Sequence, residues 1–420
     1  MKPIQRALSV LTAAALPITG LVVFAGPASA ATETISCGEQ VTHSLTAAND
    51  IGPCPADGLD IVASGVTVDL GGHTVTGGNA TNTTTNDYVG IHLMGVSGVT
   101  VRNGTVQDFD AGVSIEGGSG NTVTSITARD NISHYVLTTA TGSYGQCDYG
   151  DGILTDGSSN NRIQGNLVMH NGPYDGIGLI NNSDGNTVDG NSVTNNDVAN
   201  LNPAGSTTVC GTGQGAMQLG RGHQDIGIRL EGPGDNNNTI TGNQVAHNEF
   251  RGIAALPTLC GGMMGMPPAP NTNNTISRNN VTDNGFGEGN GSGIDIIENG
   301  PAGVSCPSAP NTIVDNVSTA NYGSGITIGG RGTGGNTVNG NVVQNNRVDG
   351  IHVNGPEGSN NSVAGSLNNT LVGNRGSGNA HDDGFDGNAQ CDNNHWMANQ
   401  FRTVNQACVA AGGGTGMVTG

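Results

Sequence analysis

One phrase recurs along this chain. Asn-Thr-Val or Asn-Thr-Ile opens it, Gly-Asn-x-Val follows, a polar Asn pair comes next, and Gly-Ile with another apolar residue closes it. It is plain in NTVDGNSV at 186–193, TITGNQV at 239–245 and NTVNGNVV at 336–343. The Gly-Ile steps fall at Gly152-Ile153, Gly176-Ile177, Gly227-Ile228, Gly252-Ile253, Gly293-Ile294, Gly325-Ile326 and Gly350-Ile351. Where nothing is inserted the period is about 25 residues, which marks a repeat architecture. Such a period constrains the fold strongly and says little about what is grafted onto it.

Each repeat holds two or three short runs with period-2 alternation, such as Gly176-Ile177-Gly178-Leu179, and has no helical period. Three short strands and three turns close one coil, so the reading is all-β, a parallel β-helix. Stacked coils set equivalent strands side by side about 4.8 Å apart. Their aliphatic residues fill a tube that no single coil could bury. Asn suits the turns twice over, because it tolerates left-handed backbone and its amide bonds neighbouring backbone. Repeated at one position, it predicts an amide ladder. Most of the 72 Gly are punctuation on this reading.

Residues 1–30 read as a secretory signal: Lys2 and Arg6, an apolar run from Ala7 to Phe24, then Ala28-Ser29-Ala30 as a cleavage site. Secretion to the extracellular space is expected, with the mature chain beginning near Ala31. No later segment is apolar enough to span a membrane. The expected organisation is a cap at 31–58, repeats at 59–387, and a C-terminal cap and tail at 388–420. Removing the signal removes the only lysine and moves the formal charge from −20 to about −22. That balance excludes a nucleic-acid partner, which needs a basic surface, and it excludes lysine-based catalysis. An anionic polysaccharide would need a divalent cation or a local Arg patch. A monomer is expected.

Eight Cys in an exported chain predict disulfides. Cys37 and Cys54 bracket the segment before the first coil, and Cys391 and Cys408 bracket the last, around the only Trp, Trp396. Cys147 and Cys210 each precede a Gly-Ile strand, whereas Cys260 and Cys306 each follow one. Insertions at equivalent points stack on one side, so the expected pairs are 37–54, 147–210, 260–306 and 391–408.

The stretch Val68-Asp69-Leu70-Gly71-Gly72-His73-Thr74-Val75, the Gly-Asn-x-Val and Gly-Ile repeats, and the ending Cys391…Asn394-His395-Trp396…Asn399-Gln400-Phe401…Cys408 carry a resemblance. Over roughly residues 37–408 the chain resembles the secreted right-handed parallel β-helix repeat proteins of the pectin-lyase-like superfamily, in their NosD-like, actinobacterial branch. The resemblance implies a right-handed helix. It does not select one activity, because the superfamily holds lyases, hydrolases, epimerases, adhesins and non-catalytic members.

Candidate chemistry follows from the coil geometry. Insertions near 131–150, 196–224, 254–272, 284–292 and 298–310 are expected to wall a cleft on the Gly-Ile face. With Ile153, Ile177, Ile228, Ile294 and Ile351 inward, the next residues point out. That outward column reads His92, Ser114, Leu154, Gly178, Arg229, Ala254, Asp295, Thr327, His352 and Asp386. The residues before each Gly make a second column: Asp151, Asp175, Ile226 beside Asp225, Arg251, Ser292, Ser324, Asp349 and Asp383. Resemblance to the calcium-dependent pectate lyases implies Ca²⁺ on Asp151, Asp175 and Asp225. It also implies Arg229 or Arg251, with a lowered pKa, as the base that takes a proton beside a uronate carboxylate. His223, at the mouth of the longest insertion, and Asp295 are further catalytic candidates. Tyr149 and Tyr174 are candidate sugar-stacking residues, since four Tyr cluster between Tyr135 and Tyr174.

Other readings stand beside this one. Gly222-His223-Gln224 and His381-Asp382-Asp383-Gly384 are faintly similar to polygalacturonase elements and point to paired-carboxylate hydrolysis. Tyr149-Gly150-Asp151 echoes an epimerase pattern. Cys260, Met263, Met264 and Met266 suit Cu(I), in line with a NosD-like metal-accessory role. His73 reads as a hydrogen-bonding residue of the N-terminal motif. A non-catalytic carbohydrate-binding or scaffold protein is the alternative to an enzyme, because Asp before Gly is also a plain turn signal.

Overall fold

A computed structural model describes residues 30–81, 86–133, 150–196, 209–210, 217–218, 226–232, 234–255, 271–287, 291–297, 310–329, 333–356 and 365–419. Its strands fall into three parallel stacks. In one coil, Asp175–Ile180 belongs to the first sheet, Thr187–Asp189 to the second and Ser192–Thr194 to the third. Each pairs in parallel with its counterpart one coil on: Ile177 with Ile228, Val188 with Ile240, Val193 with Val245. This is the parallel β-helix that the repeat requires. All five Ile expected to point inward are fully buried, as are Val188, Ile240, Val193 and Val245.

The corners show why Gly-Asn recurs. At the corner between the second and third sheets, Gly190, Gly242, Gly340 and Gly373 adopt left-handed backbone, with φ of 63–66°. The next residue in each case is an inward Asn: Asn191, Asn243, Asn341 and Asn374, all buried. Each amide bonds the coil above and the coil below. Asn243 Oδ1 accepts from the Asn191 N–H at 2.9 Å and from Asn191 Nδ2 at 3.0 Å, and Asn243 Nδ2 donates to Asn279 Oδ1 at 2.9 Å. The other two corners repeat the device. Asn237, at φ 58°, precedes the buried Asn238, and Asn195, at φ 55°, precedes the buried Asn196. Three Asn ladders therefore run along the tube. The two uses of Asn seen in the sequence fall on adjacent residues, one tolerating left-handed backbone and the other bonding backbone.

The Gly of each Gly-Ile step has a different cause. A Cβ added at Gly176 would lie 2.5 Å from Val193 Cγ1 and 2.7 Å from both Asn196 Nδ2 and the Gly227 carbonyl oxygen. Here the third corner folds back beneath the first sheet, and Gly is present for room.

The ends continue the same architecture. Within the stretch expected as a cap, Glu39–Val41 pairs in register with Leu59–Ile61, and Leu45–Ala47 joins the second sheet. His73 Nδ1 lies 3.1 Å from Asp50 Oδ1, a hydrogen-bonding place like the one expected for it. The disulfides Cys37–Cys54 and Cys391–Cys408 form as expected, with Cα atoms 5.4 and 6.0 Å apart. Cys147, Cys260 and Cys306 lie outside the described residues, and of Cys210 only the backbone strand Val209–Cys210 is described. At the C-terminal end Trp396 is buried, donates from Nε1 to Asp386 Oδ2 at 2.9 Å, and meets Phe401 edge-on at 6.0 Å. Among the described residues no helix is long and apolar enough to cross a membrane.

Candidate functional site

The ladders show where extra chain enters. In an uninterrupted coil each of the three Asn positions advances by 25 residues, as from Asn311, Asn316 and Asn321. From Asn186, Asn191 and Asn196 each advances by 52, and from Asn238, Asn243 and Asn248 by 36. Equal increments at all three corners place every inserted residue between the third-sheet corner and the next second-sheet corner. That segment carries the first sheet. The extra residues therefore enter the chain next to the strands of the Gly-Ile face, and most of them lie outside those described.

The outward column is continuous in register: Asp60, His92, Ser114, Leu154, Gly178, Arg229, Ala254, Asp295, Thr327 and His352. At its end the sequence reading slips by one residue. His352 pairs with Phe385 and Asp349 falls opposite Asp382, so Asp386 and Asp383 leave the two columns to which they were assigned. Asp386 points inward under Trp396. The cause is Gly384, which stands where an inward Ile was expected. A Cβ there would lie 2.7 Å from Phe401, so an aromatic of the C-terminal segment fills the space.

Asp151 and Asp175 lie on successive coils and are 3% and 1% exposed. Both carboxylates stand over Gly178, whose added Cβ would meet Asp151 Oδ1 at 3.1 Å and Asp175 Oδ2 at 3.4 Å. The Asp175 N–H donates to Asp151 Oδ1 at 3.2 Å. Arg229, 4% exposed, reaches between Asp175 Oδ1 at 3.8 Å and Glu231 Oε1 at 3.1 Å. Burial pushes the Asp175 carboxyl up to about 8 against the pull of Arg229. Burial, and then the charge of Asp175, raises Asp151 well above the ordinary carboxylate range. Burial alone pulls the Arg229 guanidinium down, but Glu231 and Asp175 outweigh it and its pKa rises. The sequence expectation was a lowered pKa and a base. The structure instead holds Arg229 as a buried cation, because three acids surround it. A calcium ion on Asp151 and Asp175 would meet that guanidinium, so the described residues do not fit one there. Asp225, the third expected ligand, lies outside the described residues, as do His223, Tyr149, Met263, Met264 and Met266. Tyr174 is half-buried beside Asp175.

The raised Asp175 carboxyl has a sign that can be tested. An unfolded Asp loses its proton near pH 4, whereas the folded residue keeps it until about pH 8. Between those limits the native state binds more protons, so stability falls as pH rises from about 4 to about 8 and levels off above. The melting temperature should show this decline, and Asp175→Asn should flatten it. An unchanged slope in the variant would place the decline on other groups.

Farther along, the first sheet carries an open cleft of about 340 Å³, lined by Arg251, Ser292, Asp295, Ile297, Ser324, Thr327, Val348, His352 and Asn354. Arg251 pairs through Nε with Asp295, and its guanidinium stacks 3.7 Å over the Phe250 ring. Arg251 Nη1 is buried with no hydrogen-bond partner. His352 Nδ1 lies 2.7 Å from Asp349 Oδ2, and its ring stacks on Phe385 at 4.5 Å and 12°. Asp349 is 2% exposed. The sequence reading placed Arg251 and Asp295 here. It missed the Asp349–His352 pair, although i,i+3 across a Gly-Ile step already joined the two columns.

A second polar group sits at the N-terminal end of the same column. Ligand atoms of Asp57, Asp60 and His92 all lie within 4.8 Å of one another. The signal for it was the matched alternation of Leu59-Asp60-Ile61 with Ile91-His92-Leu93, hidden because Leu replaces Ile after Gly58.

Comparisons with known proteins agree on the fold. Residues 57–216 match the family described as a right handed beta helix region. Together with the three parallel sheets, this makes the chain a right-handed parallel β-helix protein. The Dettilon tailspike protein (gp208) aligns over 90% of this chain at 14% identity and a TM-score of 0.50, and this chain spans 60% of that one. The A-module of the Azotobacter vinelandii mannuronan C-5 epimerase AlgE6 aligns over 89% of this chain and 85% of its own, at 14% identity and a TM-score of 0.50. PfbA, a surface adhesin of Streptococcus pneumoniae, covers 83% and 82%, at 13% identity and a TM-score of 0.50. At these identities the likeness is one of fold. No curated protein matches the sequence.

Proposed function

We propose that this right-handed parallel β-helix is a secreted, polysaccharide-active protein that lays a uronate-containing polysaccharide along its first sheet and removes the proton beside a uronate carboxylate. One observation carries the reading: an unsatisfied Arg251 and an oriented His352 face a single open cleft. Arg251 brings a guanidinium to that cleft in a chain with few cations. Its planar fork suits a carboxylate, and Asp295 and Phe250 hold it in place.

His352 is the base. Asp349 engages Nδ1, which leaves Nε2 for the proton, and Phe385 fixes the ring plane. The proton on the carbon bearing the carboxylate passes to Nε2. The bond from the adjacent carbon to the glycosidic oxygen then breaks, leaving an unsaturated sugar, and the released oxygen takes a proton. Return of a proton to the opposite face instead would give epimerisation at the same site. Arg251 and His352 stand three coil steps apart, about 14 Å, so they address different sugars of one chain. No step requires calcium.

A second reading, glycan binding without turnover, is favoured by the burial of Asp151, Asp175 and Arg229, which keeps the most perturbed acids away from the cleft. The test is to offer the mature protein a panel of uronate polysaccharides, with and without chelator. Ultraviolet absorbance would follow unsaturated ends, proton exchange with solvent would follow epimerisation, and a reducing-end assay would run in parallel. Chelator-resistant absorbance or exchange is expected. Reducing ends without either would shift the reading to hydrolysis, and silence on all three with retained binding would leave the non-catalytic reading.

A further inference from the structure

We propose that Asp57, Asp60 and His92 form a binding site for a divalent transition-metal ion of the zinc class, distinct from the cleft. The two sites lie on one column, but His92 is six coil steps from Asp295, about 29 Å. The donors come from successive strands in exact register, since Asp60 pairs with His92 and each projects outward from the first sheet. Their ligand atoms lie within 4.8 Å of one another. An ion at the centre of such a group is within coordinating reach of all three after small side-chain rotations.

Three features beyond proximity point to a cation. Asp60 Oδ1 is buried and has no hydrogen-bond partner, a costly state for a carboxylate oxygen unless something positive meets it. Asp57 is anchored, because its Oδ1 accepts the Val89 N–H at 2.8 Å, and that bond leaves its other oxygen available. Glu116 Oε1 lies 3.0 Å from His92 Nε2 on the following coil, which supplies the carboxylate that commonly orients a metal-bound imidazole. The group also holds three carboxylates against one imidazole, so it stays negative even with His92 protonated.

The donor chemistry selects the ion. Calcium takes six to eight oxygens, whereas zinc accepts imidazole nitrogen and carboxylate oxygen in a four-coordinate shell. Three protein donors at a half-exposed place leave one position for water. An ion here would tie the coil of Leu59–Ile61 to that of Val89–Met94, and it would leave the cleft untouched.

Zinc binding to the full mature chain, stripped with chelator, is the test, read by calorimetry together with the melting temperature. We expect one equivalent of Zn²⁺ to bind with proton release and to raise the melting temperature. His92→Gln and Asp60→Asn should each weaken binding at least tenfold, Glu116→Gln should weaken it about tenfold or more, and His247→Gln should not change it. Circular dichroism of each variant would confirm the fold, and Glu116→Gln keeps the test open if a ligand variant does not fold. Absence of binding to the parent chain would overturn the site. So would equal binding by parent and variants, or displacement of Zn²⁺ by an equal concentration of Ca²⁺.

Discussion

Asn243→Ala is expected to destabilise the folded chain by about 3–5 kcal/mol, one of the largest losses open to a single substitution here. The buried side chain makes four hydrogen bonds. It accepts from the backbone and side-chain N–H groups of Asn191, and it donates to the Val188 carbonyl at 2.9 Å and to Asn279 Oδ1 at 2.9 Å. Alanine removes all four and strands the partners. A satisfied bond contributes only about 0.5–1.5 kcal/mol, but each orphaned buried group costs about 1–3 kcal/mol. Partial sharing among the stranded groups brings the total below the simple sum. The contrast is Asn237→Gly, at an exposed left-handed corner, where Gly adopts the same backbone freely and the change should stay within about 0.5 kcal/mol. Chemical denaturation of the two variants checks both values. Equal effects would mean that the ladder carries no special share of stability.

The same pair shows what the sequence could and could not reveal. The ladders were legible because Asn, aliphatic and Gly positions recur at fixed offsets, and a repeat shows its inner residues by recurrence alone. Register failed at Gly384 because its neighbour inside the tube, Phe401, comes from outside the repeat. Recurrence carries no information about a unique contact. The columns of Asp and Arg were also legible, yet the state of Arg229 was not. Its pKa depends on how completely Asp175 and Glu231 enclose it, which is a matter of burial. The Asp349–His352 pair needed the rotamer of the imidazole, and the Asp57–Asp60–His92 group needed a register that Leu59 disguised.

If His352 is the proposed base, His352→Ala should lower kcat on a uronate polymer by about 10²–10⁴-fold with little change in KM, the usual share of a general base. On that reading the ring meets the reacting carbon and contributes little to holding the chain. Arg251→Ala should do the reverse in emphasis and raise KM, since on the same reading its guanidinium would dock a carboxylate away from the reacting sugar. Asp349→Asn keeps the shape but loses the charged partner of Nδ1, so it should fall between parent and His352→Ala in kcat. Steady-state kinetics on the three variants separates the roles. If His352→Ala kept full turnover, the base would have to lie elsewhere on the face, and the cleft would remain only a place of docking.

The equal increments of the three ladders have a genetic consequence. Because Asn311, Asn316 and Asn321 each meet their successors after the same 25 residues, a tandem duplication of any 75-nucleotide segment in that stretch would add one whole turn wherever its endpoints fell. Every corner would find an identical partner, and no compensating change would be required. Length in this molecule is therefore a trait that unequal recombination can adjust in single steps, while the insertions beside the first sheet vary without disturbing the count.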